Sequence, residues 1–182
     1  HKDERIRHLA FHDPLTDLPN RALLMERLGQ VIAANSRDGG NVALLFVDLD
    51  GFKAINDTFG HEMGDAVLKI IAQKLLAEKR ASDTVARLGG DEFIILLDGP
   101  IEEIEVARIA QRMIDVINEP VSFRGKLVHV GASIGIAMHP SDGHAPVQLM
   151  KRADNAMYSA KRAGKNTYQF SGPTVESVAV PL

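Results

Sequence analysis

The chain has 182 residues, 45% of them hydrophobic, and a formal net charge of −3. A chain of this length is typical of one domain that buries roughly 70% of its unfolded surface. Its charge disfavours a nucleic-acid-binding module, which is usually strongly basic, and the absence of Trp disfavours a stacking platform for single strands. The absence of Cys excludes disulfides and thiolate chemistry.

The N-terminal residues 1–11 are charged, with a thin apolar stripe, and predict the end of a linker helix. We expect a longer parent protein, because the chain does not begin with Met. His8 and His12 could share one helix face, but a metal site needs more ligands than the nearby sequence offers. The Asp-Pro pair at 13–14 should end this helix. A second helix is predicted to start within residues 16–19 and to run to about residue 36.

The run NVALLFVDLD at residues 41–50 is continuously apolar until it ends in two carboxylates. Such a run is typical of a strand buried on both faces. Side chains alternate along a strand, so Asp48 and Asp50 should share one face at its C-terminal end. Carboxylates there, with more on a neighbouring hairpin, indicate a site for a hard cation such as Mg²⁺.

Two helices are predicted next. A short one over residues 51–59 carries Lys53 and Asn56. Asp65 then opens a long helix to about Arg80, in which apolar residues recur at helical spacing. On its own, Asp65 would be interpreted as an N-cap, a position that Asp often occupies.

A hairpin is predicted where two β-rich runs, residues 83–88 and 93–97, are separated by Gly-Gly-Asp-Glu. Gly accepts the positive φ of tight turns and lets a bulky ligand approach the backbone. By itself, the hairpin is equally consistent with a solvated tip, where Gly and Asp are common. The acidic end of the earlier strand favours a functional site.

The remaining chain predicts a helix over 101–118, strands over 121–124 and 126–138, a helix over 146–162, a strand over 167–170 and a tail or linker over 171–182. A central hairpin needs antiparallel neighbours. The expected fold is therefore α/β, of the α+β kind, with a mixed or mostly antiparallel sheet.

Four motifs together resemble the GGDEF family of diguanylate cyclases. They are HDPLTDLPNR at His12–Arg21, DLDGFKAINDTFGHEMGD at Asp48–Asp65, RLGGDEF at Arg87–Phe93 and ADNAMYSAKRAGKN at Ala153–Asn166. They occur in matching order between residues 9 and 170. The resemblance implies a catalytic domain over 12–170 with a central five-stranded sheet wrapped by helices, similar to polymerase palm and class III nucleotide cyclase domains. The family joins two GTP molecules into cyclic di-GMP and releases two pyrophosphates.

The resemblance also implies a metal site. Asp48, the backbone carbonyl of Leu49 and Asp91 would bind Mg²⁺, with Mn²⁺ as a substitute. Asp91 would in addition accept the proton of the attacking 3′-hydroxyl. Glu92 and Asp50 are second-choice ligands. Because adjacent strand residues face opposite ways, Asp91 and Glu92 should have different roles.

Lysines and glycines are implied at the phosphates. Lys53 would neutralise developing charge, and Lys161 and Lys165 would hold the terminal phosphates. Gly89 and Gly90 would let the nucleotide approach the backbone. The family often has Arg where this chain has Lys165; Lys keeps the charge but loses the bidentate fork.

Guanine recognition is implied for Asn56 and Asp65, since a carboxylate can accept both the N1–H and the N2–H of guanine. Arg80 and Asp83 match the RxxD motif that the family places upstream of the hairpin as an inhibitory product site. Asp17 replaces the Gly of most family members, and we expect a modest local effect there.

Each domain would hold one GTP, so the resemblance implies catalysis by two such domains face to face, in a homodimer. Other expected partners are GTP, cyclic di-GMP and sensory or effector domains of the parent chain; nucleic-acid polymers and membrane contact by this domain are not expected. We expect a cytoplasmic domain, whether its parent protein is soluble or membrane-bound. Two alternatives remain open: a domain that binds GTP or cyclic di-GMP without turnover and regulates an attached module, and a nucleotidyl cyclase that acts on one GTP.

Overall fold

The computed structural model describes residues 1–172, and most of the predicted tail, residues 173–182, lies outside them. The helices are α1 (Lys2–Phe11), α2 (Arg21–Asp38), α3 (Phe52–Phe59), α4 (His61–Glu78), α5 (Glu103–Asn118) and α6 (Pro146–Arg162). The strands are β1 (Val42–Asp50), β2 (Thr84–Gly89), β3 (Glu92–Leu97), β4 (Val121–Phe123), β5 (Lys126–Val128), β6 (Gly131–His139) and β7 (Tyr168–Phe170). Within residues 1–172, no helix is both long and apolar enough to cross a bilayer.

The central sheet has five strands in the order β2-β3-β1-β6-β7. Strand β1 lies in the middle and pairs antiparallel with both β3 and β6, whereas β7 joins β6 in parallel. The first eight residues of β1 are buried, as its continuous apolar run predicts. The predicted α+β fold with a mostly antiparallel five-stranded sheet is therefore confirmed.

Helices cover both faces of this sheet, and β1 contributes to each layer. Its odd-numbered residues from Ala43 to Leu49 pack with α3, α4 and α5. Its even-numbered residues Val42, Leu44 and Phe46 pack with α2 and α6. Since Asp48 continues the even-numbered series, its side chain lies on the α2 and α6 face of the sheet.

Helix α6 lies directly on the backbone of β6. A Cβ atom at Gly135 would be only 2.0 Å from the carbonyl oxygen of Ala153 and 2.2 Å from the nitrogen of Met157. Only a residue without a side chain permits this contact. The contact holds the last turns of α6, and with them Lys161, close to the sheet.

Two predicted helix starts are wrong. Helix α2 begins at Arg21 rather than within 16–19, because Leu18 is buried and Asn20 caps the helix by accepting a hydrogen bond from the Leu23 N–H at 3.1 Å. Helix α4 begins at His61 rather than at Asp65 and ends at Glu78. Gly60, at φ 93°, ends α3 and starts α4 within one residue.

The predicted strand over 126–138 is two strands. Lys126–Val128 forms β5, which pairs only with β4 in a separate hairpin, and Gly131–His139 forms β6 of the central sheet. The residues at the junction, His129 and Val130, are followed by Gly131, and one polar residue was not enough to indicate that the chain changes sheet there.

Candidate active site at the end of the central strand

The site is organised around Asp48, near the C-terminal end of β1. Its Cα lies opposite Glu92 on β3 and Ser133 on β6. The residue is buried, and its Oδ2 accepts a hydrogen bond from Lys161 Nζ at 2.9 Å. Its other oxygen, Oδ1, is buried without a hydrogen-bond partner. A buried carboxylate oxygen of this kind is costly unless a cation or donor meets it.

Asp91 lies beside Asp48 in the turn between β2 and β3. Gly89 and Gly90 have positive φ values of 143° and 49°, so the tight turn predicted from the Gly-Gly pair is present. The backbone N–H of Leu49 donates to the carbonyl oxygen of Asp91 at 3.2 Å, which fastens the turn to β1.

The expectation that strand alternation separates Asp91 from Glu92 is wrong. Asp91 belongs to the turn and not to β3, which begins at Glu92. Glu92 lies directly across from Asp48, and residues paired in this way share a face of the sheet. Both carboxyl groups therefore face Asp48.

Burial and like charges raise the pKa values of Asp91 and Glu92. Burial, followed by the Asp48 carboxylate to which it is hydrogen-bonded, raises the pKa of Asp91 to about 6. Burial and then the charge of Asp48 also raise the pKa of Glu92. Two carboxylates this close do not both ionise readily, so the unliganded site favours a proton or a cation between them.

Two further charged residues of this cluster were not predicted. Asp154 of α6 has its pKa raised by burial and by Asp48. The positive charge of Arg21, the first residue of α2, offsets part of the increase in the pKa values of Glu92 and Asp154. The sequence could have indicated Asp154. It precedes Lys161 by seven residues, and because seven residues make about two helical turns, both side chains lie on one face of α6.

The donor set fits a magnesium ion. Between residues 1 and 172, no three His, Asp or Glu side chains are grouped as metal ligands. Asp48 and Asp91 nevertheless supply two adjacent carboxylates, one with an unpartnered buried oxygen. Magnesium is typically bound by one or two carboxylates, with water and substrate phosphate completing the octahedron. Leu49, between Asp48 and Asp50, is the predicted carbonyl ligand.

A salt bridge and two hydrogen bonds of Arg87 hold the turn between β2 and β3 from outside the site. Arg87 donates from Nε and Nη2 to the carbonyl oxygen of Gly90, at 3.1 and 2.8 Å. Its Nη1 is 2.8 Å from the carboxylate of Asp13, and both side chains are mostly buried. Asp13 also accepts hydrogen bonds from the backbone and hydroxyl of Thr16. The segment between α1 and α2 thus braces the turn that carries Asp91.

Asp50 has structural partners. Its oxygens accept hydrogen bonds from the Ser133 hydroxyl at 2.8 and 3.0 Å and from the backbone N–H of Asn166 at 2.9 Å. Asn166 directly follows Lys165, whose φ is 64°. Asp50 therefore holds the loop that presents Lys165, which is exposed.

The predicted guanine-binding residues lie on a tight corner between two helices. Asn56 is on α3, Asp65 is on α4, and only Gly60 separates the helices. The N–H of Gly60 donates to the carbonyl oxygen of Asn56 at 2.9 Å. Asp65 is exposed, and so is Lys53 on the first turn of α3.

The predicted product site is closed by an internal ion pair. The guanidinium of Arg80 donates from Nε and Nη2 to the two oxygens of Asp83, each at 2.8 Å. The Asp83 side chain is only 1% exposed and also accepts from the N–H of Asp98. Arg80 is 37% exposed and donates to the Asp98 carbonyl oxygen. Arg80 lies beyond the end of α4 and not at its last residue.

The two N-terminal histidines make no metal site with the ligands around them. Instead, their rings stack with centroids 3.8 Å apart, and His8 Nε2 hydrogen-bonds the carboxylate of Asp17. Asp17 adopts φ 62°. Gly adopts this left-handed conformation more readily than Asp does. The hydrogen bond to His8 connects Asp17 to helix α1.

The comparisons agree with this geometry. A family model described as "Diguanylate cyclase, GGDEF domain" matches residues 10–167. The chain belongs to the GGDEF family. The bifunctional diguanylate cyclase/cyclic di-GMP phosphodiesterase MucR of Pseudomonas aeruginosa is 48% identical over 162 residues, which are 89% of this chain and 24% of MucR. The chain spans about a quarter or less of the length of the first curated relatives that it matches.

Solved GGDEF domains have the same fold. The GGDEF domain of TpbB (or YfiN) from P. aeruginosa superposes with a TM-score of 0.88 at 39% identity, covering 92% of this chain and 98% of that one. The coiled coil and GGDEF domain of DgcB from Caulobacter crescentus, in complex with c-di-GMP, gives a TM-score of 0.84 at 28% identity, covering 93% and 90%.

Proposed function

We propose that this GGDEF domain is a diguanylate cyclase that joins two GTP molecules into cyclic di-GMP. The observation that carries the proposal is the adjacent pair Asp48 and Asp91, with a buried oxygen free for a cation and Lys161 at 2.9 Å. Phosphoryl transfer depends mainly on positioning and on neutralising charge. Binding of a regulatory nucleotide alone would not need two carboxylates held this close.

In each of the two steps, the 3′-hydroxyl of one GTP attacks the α-phosphorus of the other and pyrophosphate leaves. Asp48, the Leu49 carbonyl and Asp91 would hold Mg²⁺, which polarises the phosphate and stabilises the developing charge. The hydroxyl proton passes to Asp91. Glu92, which lies opposite Asp48, is the second-choice metal ligand.

Lysines are assigned to the phosphates. Lys161 reaches Asp48 and so lies where the phosphates meet the carboxylates. Lys53 and Lys165 are exposed on the helix and the loop that border the site. Lys53 would neutralise developing charge on the phosphates, and Lys165 would hold the terminal phosphates together with Lys161. Gly89 and Gly90 expose turn backbone to the nucleotide, since neither would place a Cβ within 4 Å of other atoms.

The guanine base is assigned to the corner between α3 and α4. Asp65 accepts N1–H and N2–H, and Asn56 adds an amide next to it. Adenine lacks that pair of donors, so we expect the residues at this corner to bind GTP in preference to ATP.

Two domains would act together. One domain has one set of residues that would bind a nucleotide. Joining two GTP molecules needs two such sets face to face, one from each domain. The DgcB structure shows that another GGDEF protein binds c-di-GMP, and we assign such binding in this chain to Arg80 and Asp83 because they match the RxxD motif. Product would have to open the ion pair between these residues, so its phosphate must replace the Asp83 carboxylate as the partner of Arg80.

The proposal is tested by incubating the purified protein with GTP and Mg²⁺ and separating the products by chromatography. Cyclic di-GMP with two equivalents of pyrophosphate is the expected result. Binding of GTP without turnover would instead support the regulatory alternative, and a cyclic mononucleotide would support a cyclase that acts on one GTP.

A further inference from the structure

Gly64, in the first turn of α4, lies against the side chain of Asn56. A Cβ atom at this buried position would be 1.8 Å from Asn56 Oδ1 and 2.9 Å from its Cγ. It would also be 3.2 Å from Cζ of Phe52, one helical turn before Asn56 on α3. The first two separations are far shorter than any van der Waals contact. The Asn56 carboxamide therefore occupies the space that a side chain at position 64 would fill.

Packing, and not hydrogen bonding, holds the oxygen of that carboxamide. Oδ1 of Asn56 is buried and has no hydrogen-bond partner. A carboxamide held by shape alone depends on the surface it touches. Here that surface is the bare backbone of Gly64, the residue directly before Asp65. Any group added at position 64 must displace Asn56, because Phe52 blocks movement of the new group the other way.

We infer that Gly64 is a specificity-determining positioning residue for the guanine base. Its missing side chain lets the Asn56 carboxamide lie against α4 beside the Asp65 carboxylate, so that one helical corner presents both groups to the same base edge. This inference rests on the proposed GTP site. Gly64 itself touches no substrate; it acts through Asn56. The glycine is needed for close approach and not for backbone conformation, since its φ lies within the range of an ordinary helix.

The chain offers a matched control. Gly29 lies within α2, and a Cβ built there meets nothing within 4 Å. Gly29→Ala and Gly64→Ala make the same change inside a helix, with the same expected gain in helix propensity. Only Gly64→Ala introduces a clash. The difference between the two variants therefore isolates the contact with Asn56.

The first measurement is thermal unfolding. Gly29→Ala should melt at or slightly above the temperature of the unmodified protein, and Gly64→Ala should melt several degrees lower. Adding Asn56→Ala to Gly64→Ala removes the clashing carboxamide without placing a second glycine in a helix and should restore most of the loss. If Gly64→Ala alone does not fold, the double variant still tests the inference, because removal of the clash should then restore folding. Equal losses for the single and the double variant would overturn the inference, because the contact with Asn56 would not be the cause.

The second measurement is nucleotide discrimination. Loss of one hydrogen bond to the base weakens binding by up to about 10-fold, so Gly64→Ala should raise KM for GTP by up to about 10-fold. The kcat should change much less, and the preference for GTP over ATP should fall. Titration with a non-hydrolysable GTP analogue gives the same comparison without turnover. KM, analogue affinity and GTP preference equal to those of Gly29→Ala would overturn the inference. Failure of the proposed function is separate: the unmodified protein would form no cyclic di-GMP.

Discussion

Replacement of Asp91 by Asn should abolish activity and at the same time stabilise the fold. In the unliganded protein, burial and the neighbouring Asp48 raise the pKa of Asp91 from 3.8 to about 6. A carboxyl group whose pKa is higher in the folded state binds more protons there than in the unfolded chain. The free energy of unfolding therefore falls as the pH rises from about 4 to about 6, and the loss is complete above pH 6. Asn carries no charge and avoids this loss.

The magnitude follows from the size of the shift. A change from 3.8 to about 6 corresponds to at most ~3 kcal/mol. Asp91 is only half-buried, so solvent screening reduces the net effect to ~1–2 kcal/mol. For a domain of this length, that is a rise in Tm of about 2–8 °C at pH 8. Turnover should fall on the order of 10² to 10³-fold, because a contact made in the transition state is lost.

Calorimetry in metal-free buffer at pH 8 and at pH 4.5 tests the reasoning. At pH 4.5 Asp91 is largely protonated in the folded protein, so the two melting temperatures should converge. Glu26→Gln, on the exposed face of α2, controls for the loss of one carboxylate and should change Tm little at either pH. The reasoning fails if Asp91→Asn is no more stable than the unmodified protein at pH 8, or if the difference persists at pH 4.5.

Four further outcomes are expected. The specific rate should rise with protein concentration, and a flat rate across a dilution series of monomer would exclude pairing of two half-sites. ATP should compete poorly with GTP, and Asp65→Ala should weaken GTP binding; equal competition by the two nucleotides would contradict the assignment of guanine to this residue. Arg80→Ala should relieve non-competitive inhibition by added cyclic di-GMP while initial turnover is kept, and identical inhibition curves would remove the product site. The same variant should lose ~1–3 kcal/mol of stability in denaturant titration, because the buried Asp83 carboxylate loses its guanidinium.

The parts of the fold that follow from local pattern were predictable. The apolar run of β1 and the Gly-Gly turn before Asp91 were placed correctly, because burial on two faces and positive φ leave direct marks in sequence. The start of α4 was misplaced since Asp65 is a good N-cap, whereas Gly60 lets one helix follow another without a capping side chain.

The residues that hold the site in place could not be predicted from local sequence patterns. The salt bridge from Asp13 to Arg87 joins residues 74 positions apart, and neither has a local pattern that indicates its partner. Asp50 looked like a metal ligand because it follows Asp48 at strand spacing. Its contacts with Ser133 and Asn166 come from two elements that the tertiary fold brings together.

The close contact of α6 with β6 at Gly135 has a consequence for experiments that map function by mutation. A methyl group there would push against Ala153 and Met157 and lift the helix that carries Lys161, while Asp48 on β1 and Asp91 in the β2–β3 turn stay in place. We expect a saturation screen scored on product alone to rank Gly135 with the proposed metal ligands, although Gly135 contacts α6 and is not among the proposed nucleotide-binding residues. A parallel screen scored on protein abundance would tell these two groups of positions apart, since loss of packing lowers the amount of folded protein and loss of a ligand does not.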